Sequence, residues 1–241
     1  MKKSIFGTLL QLESVFLLIT GAVSLFHDEK DWWVFMLCAT LSFVIGAITI
    51  SIGKWKARHN NEDQGKYFSR ADSFLVVTLT WVLFSIIGMI PYIVLENMSV
   101  TDAMFEAMSG FTTTGASILS DVEALSRCML LWRSFSHWIG GMGILVFILA
   151  LIPESKEGSA MHILRAESPG PQVGKLVSRV RFTARILYLI YLGLTVLEFV
   201  MLLFGDNSWY DSLVTALATA GTGGFGIYGD SIASFNTYSQ I

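Results

Sequence analysis

The chain has 241 residues, of which 53% are hydrophobic and only 15% charged, with a formal net charge of −3 and a mean hydropathy of +0.60. That balance excludes an ordinary soluble domain. The sixteen Lys and Arg are spread through the flanks of apolar runs, so they carry no sign of a nucleic-acid partner.

In chain order, four stretches are long enough to cross a hydrocarbon core of about 30 Å as helices: Ile5 to Phe26, Trp32 to Ile52, Phe74 to Leu95 and Met129 to Ile152. A fifth, Thr183 to Phe204, follows a charged segment over 153–182. Trp32, Trp33, Trp132 and Trp209 fall near span ends, where amphipathic rings favour the interface. The first run has the outline of a cleaved leader, with Lys2 and Lys3 before it and Ala22-Val23-Ser24 near its end. Gln11 and Glu13 interrupt it, so it reads as a retained span. Thirteen of the Lys and Arg lie in segments that would share one side, against Lys30, Arg127 and Arg133 on the other. The excess marks the cytoplasmic side and puts the N-terminus there. Cys38 and Cys128 suggest neither a disulfide framework nor a metal site.

The chain repeats itself. A shift of 109 positions lays the span from Phe74 on the span from Thr183, and residues 101–126 on residues 210–235 with seven identities in twenty-six pairs. Each repeat runs as a full span, a short connection, an Asp (Asp102 or Asp211), about nine residues of helix-forming sequence and a Thr/Gly loop. Nine helical residues reach only about 13 Å, less than half the core. The reading is therefore a half-helix that enters the membrane and stops, with Asp102 and Asp211 as its N-caps. Its negative end points at a loop whose backbone is tolerable at that depth only inside protein or beside water.

The second loop, GTGGFG over 221–226, matches the glycine fingerprint of a dinucleotide-binding turn. That turn needs a preceding strand in a βαβ unit, whereas here an apolar half-helix precedes it and the partner loop is FTTTGAS. What the loops share is small residues whose carbonyls can turn inward and replace a cation's hydration shell. His137 with Ser136 or Ser109 offers the parts of a hydrolase but no group to orient the His. Its neighbours WIGGMG read as close helix packing through Gly140, Gly141 and Gly143, and the chain reads as no enzyme. Arg133 and Glu198 are possible partners within the membrane, with snorkelling of Arg133 as the alternative. Glu13 has no assigned role, and Glu106 either attracts cations or caps backbone.

GFTTTGAS at 110–117, WRSFSHWIGGMGILVFILALIP at 132–153, LRAESPGP at 164–171 and GTGGFG at 221–226 together resemble the pore-forming subunit of Trk-type bacterial potassium uptake systems. That superfamily also includes the Ktr and plant HKT transporters, and the two spans before the first repeat resemble the Trk branch. The resemblance implies an all-α polytopic membrane protein built of span, half-helix, filter loop and span units, in a bacterial cytoplasmic membrane. It divides the chain into a two-span region at 1–68, a first pore repeat at 69–158 and an incomplete second at 159–241. It implies a first filter of Thr112, Thr113, Thr114 and Gly115 and a second of Gly221, Thr222, Gly223 and Gly224. K+ would sit at the carbonyls of Thr113, Thr114, Gly115, Thr222 and Gly223. It further implies a homodimer of the full-length protein and a cytoplasmic RCK-type regulator that carries any nucleotide, so the chain itself holds no cofactor.

The expected activity is potassium uptake through a channel-like pore, with a sodium- or proton-coupled carrier of broken helices as the alternative. Loops of Thr and Gly without an acid favour the pore. Residues 1–241 alone are not expected to transport, because four loops surround an ion in such a filter and the sequence holds two. Enlarging Gly115 or Gly224 is expected to alter ion preference, with Gly7 as a neutral control.

Overall fold

The computed structural model describes residues 2–59, 70–143 and 180–240, and among them there are helices and loops with no strand. The helices are α1 (Lys2–Phe26), α2 (Trp32–His59), α3 (Arg70–Gly88), α4 (Ile90–Leu95), α5 (Val100–Phe111), α6 (Arg127–Gly141), α7 (Val180–Phe204) and α8 (Trp209–Ala220). Among the described residues, four stretches are long and apolar enough to cross a membrane: Phe6–Phe26, Trp32–Trp55, Phe74–Leu95 and Thr183–Phe204. The expected span from Met129 appears as α6, and its continuation past Gly143 lies outside the described residues, as does LRAESPGP.

Helices α1 and α2 form an antiparallel hairpin whose backbones meet at Gly7 and Gly46. A Cβ on Gly7 would lie 2.5 Å from both the Gly46 carbonyl and Ile50 Cγ1, so small residues here let two helices close without side chains between them. Gly7 is therefore no neutral control. The same hairpin accounts for Glu13, which is fully buried. The Ser42 hydroxyl lies 3.0 Å from its Oε2 and 2.7 Å from the Leu10 carbonyl, pinning α2 to α1 across an apolar interface.

The hairpin also caps another helix. Ser126 stands at the N-cap of α6 and makes no side-chain cap bond. Glu29, from the α1–α2 turn, instead accepts from the backbone N–H groups of Arg127 at 2.9 Å and Cys128 at 3.2 Å. A carboxylate at the positive end of a helix satisfies two orphan donors at once.

The duplication is geometrical as well as sequential. Helices α5 and α8 both span twelve residues, with bounds offset by the same 109 positions. Their N-caps are Ser99 and Ser208, which accept from the N–H groups of Asp102 at 3.2 Å and Asp211 at 3.0 Å. The expected N-cap role of Asp102 and Asp211 is thus corrected: each aspartate is the third helical residue after a Ser N-cap, and the half-helices begin earlier than expected. At twelve residues each reaches about 18 Å. The paired spans differ in one respect. Pro91 lacks an N–H and breaks the first into α3 and α4 at Met89, whereas Val200 in its place lets α7 run unbroken.

Trp132 corrects the interfacial reading of the tryptophans. It is fully buried, donates from Nε1 to the Gly88 carbonyl at 3.1 Å and meets Phe111 edge-on at 6.0 Å. It locks α6 against α5 at the break that Pro91 makes.

Replacing Gly7 with Val should destabilise the protein by about 1–3 kcal/mol, the usual range for overpacking a close contact. Thermal unfolding in detergent reads this, and an unchanged midpoint would contradict the described crossing.

Candidate functional site

Both half-helices end where helix propensity ends. The run Met104-Phe105-Glu106-Ala107-Met108 supports α5, and Gly110 with three β-branched threonines stops it. Ala216-Leu217-Ala218-Thr219-Ala220 supports α8 until Gly221. Backbone groups past the ends stay satisfied: the N–H of Thr113 donates to the Gly110 carbonyl at 3.1 Å and that of Thr114 to Ser109 at 3.0 Å. In the second loop the N–H of Gly221 donates to Leu217 at 3.2 Å and that of Thr222 to Thr219 at 2.8 Å.

The loops then repeat an uncommon backbone. Thr113 has φ 55° and Gly115 φ 74°, and their counterparts Thr222 and Gly224 both have φ 67°. A glycine enters the left-handed region freely, but a β-branched residue there is an outlier costing about 1–3 kcal/mol. Two threonines hold it at equivalent positions. The loops also touch: a Cβ on Gly115 would collide with the Gly223 carbonyl, and one on Gly223 would lie 2.5 Å from the Thr113 carbonyl oxygen. Thr113 and Gly115 of the first expected filter thus lie against Gly223 of the second. Within the first, the hydroxyls of Thr112 and Thr114 are 2.8 Å apart.

Helix α6 lies behind both loops and supplies their polar support. Arg133 is 2% exposed and Glu106 fully buried, and they form an ion pair through Nη1 and Oε1. The pairing of Arg133 with Glu198 is replaced by this one, and snorkelling to the interface is excluded by the burial. Glu106 also accepts from the Ser117 hydroxyl at 2.8 Å and from the Ile118 N–H at 3.0 Å, so of the two roles open to it, capping backbone is the one seen. It ties the exit of the first loop to α5. Arg133 places its guanidinium 3.8 Å from the Phe225 ring centroid, a desolvated cation–π contact with the second loop.

One turn along α6, His137 is fully buried. Its Nε2 accepts from the Gly223 N–H at 2.9 Å, which sets the tautomer with the proton on Nδ1, and its ring stacks on Phe225 at 5.4 Å. A Cβ on Gly221 or Gly223 would strike this ring. The hydrolase arrangement is absent: the Ser136 hydroxyl donates to the Arg133 carbonyl at 2.7 Å and that of Ser109 to Ala116. Gly140 and Gly141 do serve close packing, against the Phe111 backbone and against Tyr191 and Gly221. Sequence reasoning dismissed His137 as packing and missed its bond to the loop. The visible signal was the pair of small residues at 221 and 223.

At the α1–α2 turn and the start of α6, Glu29, Asp31 and Cys128 place ligand-type atoms within 4.8 Å of one another, with the Cys128 thiol 3.7 Å from Asp31 Oδ2. Cys128 was not read as a possible ligand from sequence, since its carboxylate neighbours come from a distant turn. Nearby, partial burial first and the Asp31 charge second raise the Glu96 carboxyl above its ordinary range.

A model of the TrkH family, described as a cation transport protein, matches residues 40–241. The Trk system potassium uptake protein TrkH of Escherichia coli strain K12 is 35% identical over 236 residues, covering 97% of this chain and 47% of its own length. TrkG of the same strain, also named a Trk system potassium uptake protein, is 33% identical over 235 residues, with 96% and 47% covered. The crystal structure of the potassium transporter TrkH from Vibrio parahaemolyticus superposes with a TM-score of 0.76 at 29% identity, covering 98% of this chain and 47% of that one. The chain spans about half the length of the curated relatives it matches.

Removing one partner of the Glu106–Arg133 pair should destabilise by about 3–5 kcal/mol, because it leaves a buried charge uncompensated. Glu106→Gln, Arg133→Met and the double variant form the cycle, read by thermal unfolding in detergent. The double variant is expected to recover much of the loss, and additive effects would show that the two do not interact.

Proposed function

The chain belongs to the TrkH family of cation transport proteins, and from that membership we propose that it supplies two walls of a potassium path across a bacterial cytoplasmic membrane. The path runs between the loops at 112–115 and 221–224, with K+ held by the carbonyls of Thr113, Thr114, Gly115, Thr222 and Gly223. The observation that carries this reading is the repeated left-handed threonine. Thr113 and Thr222 hold φ values of 55° and 67° at equivalent places, in loops that touch through their carbonyls. Strain of this kind persists where the surroundings impose it, and it gathers at functional sites. Alternation of left- and right-handed residues lets successive carbonyls serve one side of the chain, and the half-helices aim the negative ends of their dipoles at the same place.

Passage rather than coupled carriage fits the charge distribution. A carrier driven by sodium or protons would keep an acid available beside the broken helix. Glu106, the acid inside α5, is instead neutralised by Arg133 and committed to the loop backbone. In this reading the N-terminus faces the cytoplasm, residues 1–68, 69–158 and 159–241 are the two-span region and two pore repeats, and the full-length protein pairs as a homodimer. An RCK-type regulator on the cytoplasmic side binds the nucleotide that gates it.

The test is flux in proteoliposomes holding the complete gene product. Potassium and rubidium should pass in preference to lithium, since carbonyls offset the dehydration of the larger ions better. Equal rates for potassium and lithium would refute the filter. The two glycines should behave differently. Gly224→Ala meets open space and bears only the left-handed penalty of about 1–2 kcal/mol, so it should fold and show altered flux. Gly115→Ala also drives its methyl into the Gly223 carbonyl and should cost more stability. Equal stability of the two variants would contradict the described contact between the loops.

A further inference from the structure

We infer that His137 is a positioning residue for ion selectivity: a side chain from the first repeat that holds the second filter loop in register through the Gly223 N–H. The inference deepens the potassium-path reading and rests on it.

Four observations meet at this ring. The imidazole is fully buried, and its Nε2 lies 2.9 Å from the Gly223 nitrogen. Its edge fills the space that side chains at 221 and 223 would occupy. Its face is held by Phe225 at 5.4 Å, and the Arg133 guanidinium lies 3.8 Å from the same Phe225 ring centroid. Gly223 lies between the two left-handed residues Thr222 and Gly224, and the peptide plane that joins Thr222 to Gly223 has no Cβ on its Gly223 side to hold it against a flip. A flip would turn an N–H where a cation needs a carbonyl. The acceptor on His137 fixes the Gly223 N–H outward, and the direction of the neighbouring carbonyls follows from it.

The chemistry of the group fits this use. A neutral imidazole with its proton on Nδ1 offers one acceptor in a rigid plane, and a buried N–H left unpaired is unfavourable. Ser136 and Ser134 on the same helix do not make this bond: one hydroxyl donates to the Arg133 carbonyl and the other has no partner among the described residues. The loop of the second repeat is thus held by a helix of the first, so a change in α6 reaches both loops together.

The test compares His137→Leu, which keeps bulk and removes the acceptor, with His137→Gln, whose amide oxygen can still accept, and with Ser134→Ala as a change elsewhere on α6. All are made in the complete gene product and reconstituted, with the ratio of potassium to sodium flux as the readout. The Leu variant should lose roughly tenfold in that ratio, on the scale of one unpaired buried donor. The Gln variant should stay near the parent ratio, and Ser134→Ala should match the parent. A Leu variant that folds and keeps the parent ratio overturns the inference while leaving the potassium path standing. Failure of both His137 variants to reach the membrane also overturns it, because the ring would then serve folding and not register. A parent protein with no preference among cations defeats both readings.

Discussion

Backbone that leaves a helix at mid-membrane depth must find partners for its N–H and C=O groups, since lipid supplies none and each unsatisfied group costs several kcal/mol. On the proposed reading this chain meets that constraint twice, at the ends of α5 and α8, and much of its structure answers it. The first few N–H groups beyond each helix fold back onto its last carbonyls. Further out, side chains take over: Glu106 of α5, held by Arg133 of α6, receives the Ile118 N–H, and His137 of α6 receives that of Gly223. The burial of an arginine, a glutamate and a histidine in an apolar bundle follows from the same need.

The two repeats meet it by different means. Glu106 of the first has Thr215 as its counterpart, so the second half-helix carries no acid at that level. Its loop is braced from outside, by the imidazole and the Phe225 ring that Arg133 covers. Helix α6 therefore stands between two loops of one backbone shape and serves each with a different side chain. Its own placement depends on the N-terminal hairpin, which caps it through Glu29, and on Trp132, which fixes it to the break after Gly88. The extra N-terminal spans thus bear on the loops through a short chain of contacts.

Much of the architecture was legible in the sequence because it is written in local terms. Apolar run length marked the spans, a constant offset marked the duplication, and small residues after short helical stretches marked the loops. The cap residue was misplaced because Asp102 and Asp211 stand out as charges, although Ser99 and Ser208 three residues earlier are N-caps that sequence spacing alone can show. The Glu106–Arg133 pair was hidden for another reason. Its members are 27 residues apart, and only the docking of α6 on α5 decides that Arg133 turns inward and away from Glu198. His137 was hidden likewise, since its role depends on the absence of side chains at Gly221 and Gly223, a signal that becomes readable once the two segments are known to touch.

The central claim is that the carbonyls of Thr113, Thr114, Gly115, Thr222 and Gly223 surround a partly dehydrated cation. The most direct measurement is a crystal structure of the complete gene product in rubidium, with the ion located by its anomalous scattering. Rubidium density between the two loops, in direct contact with these carbonyl oxygens, is the predicted result. Rubidium seen only elsewhere, such as against Glu29 and Asp31 at the α1–α2 turn, with none between the loops, would contradict the account.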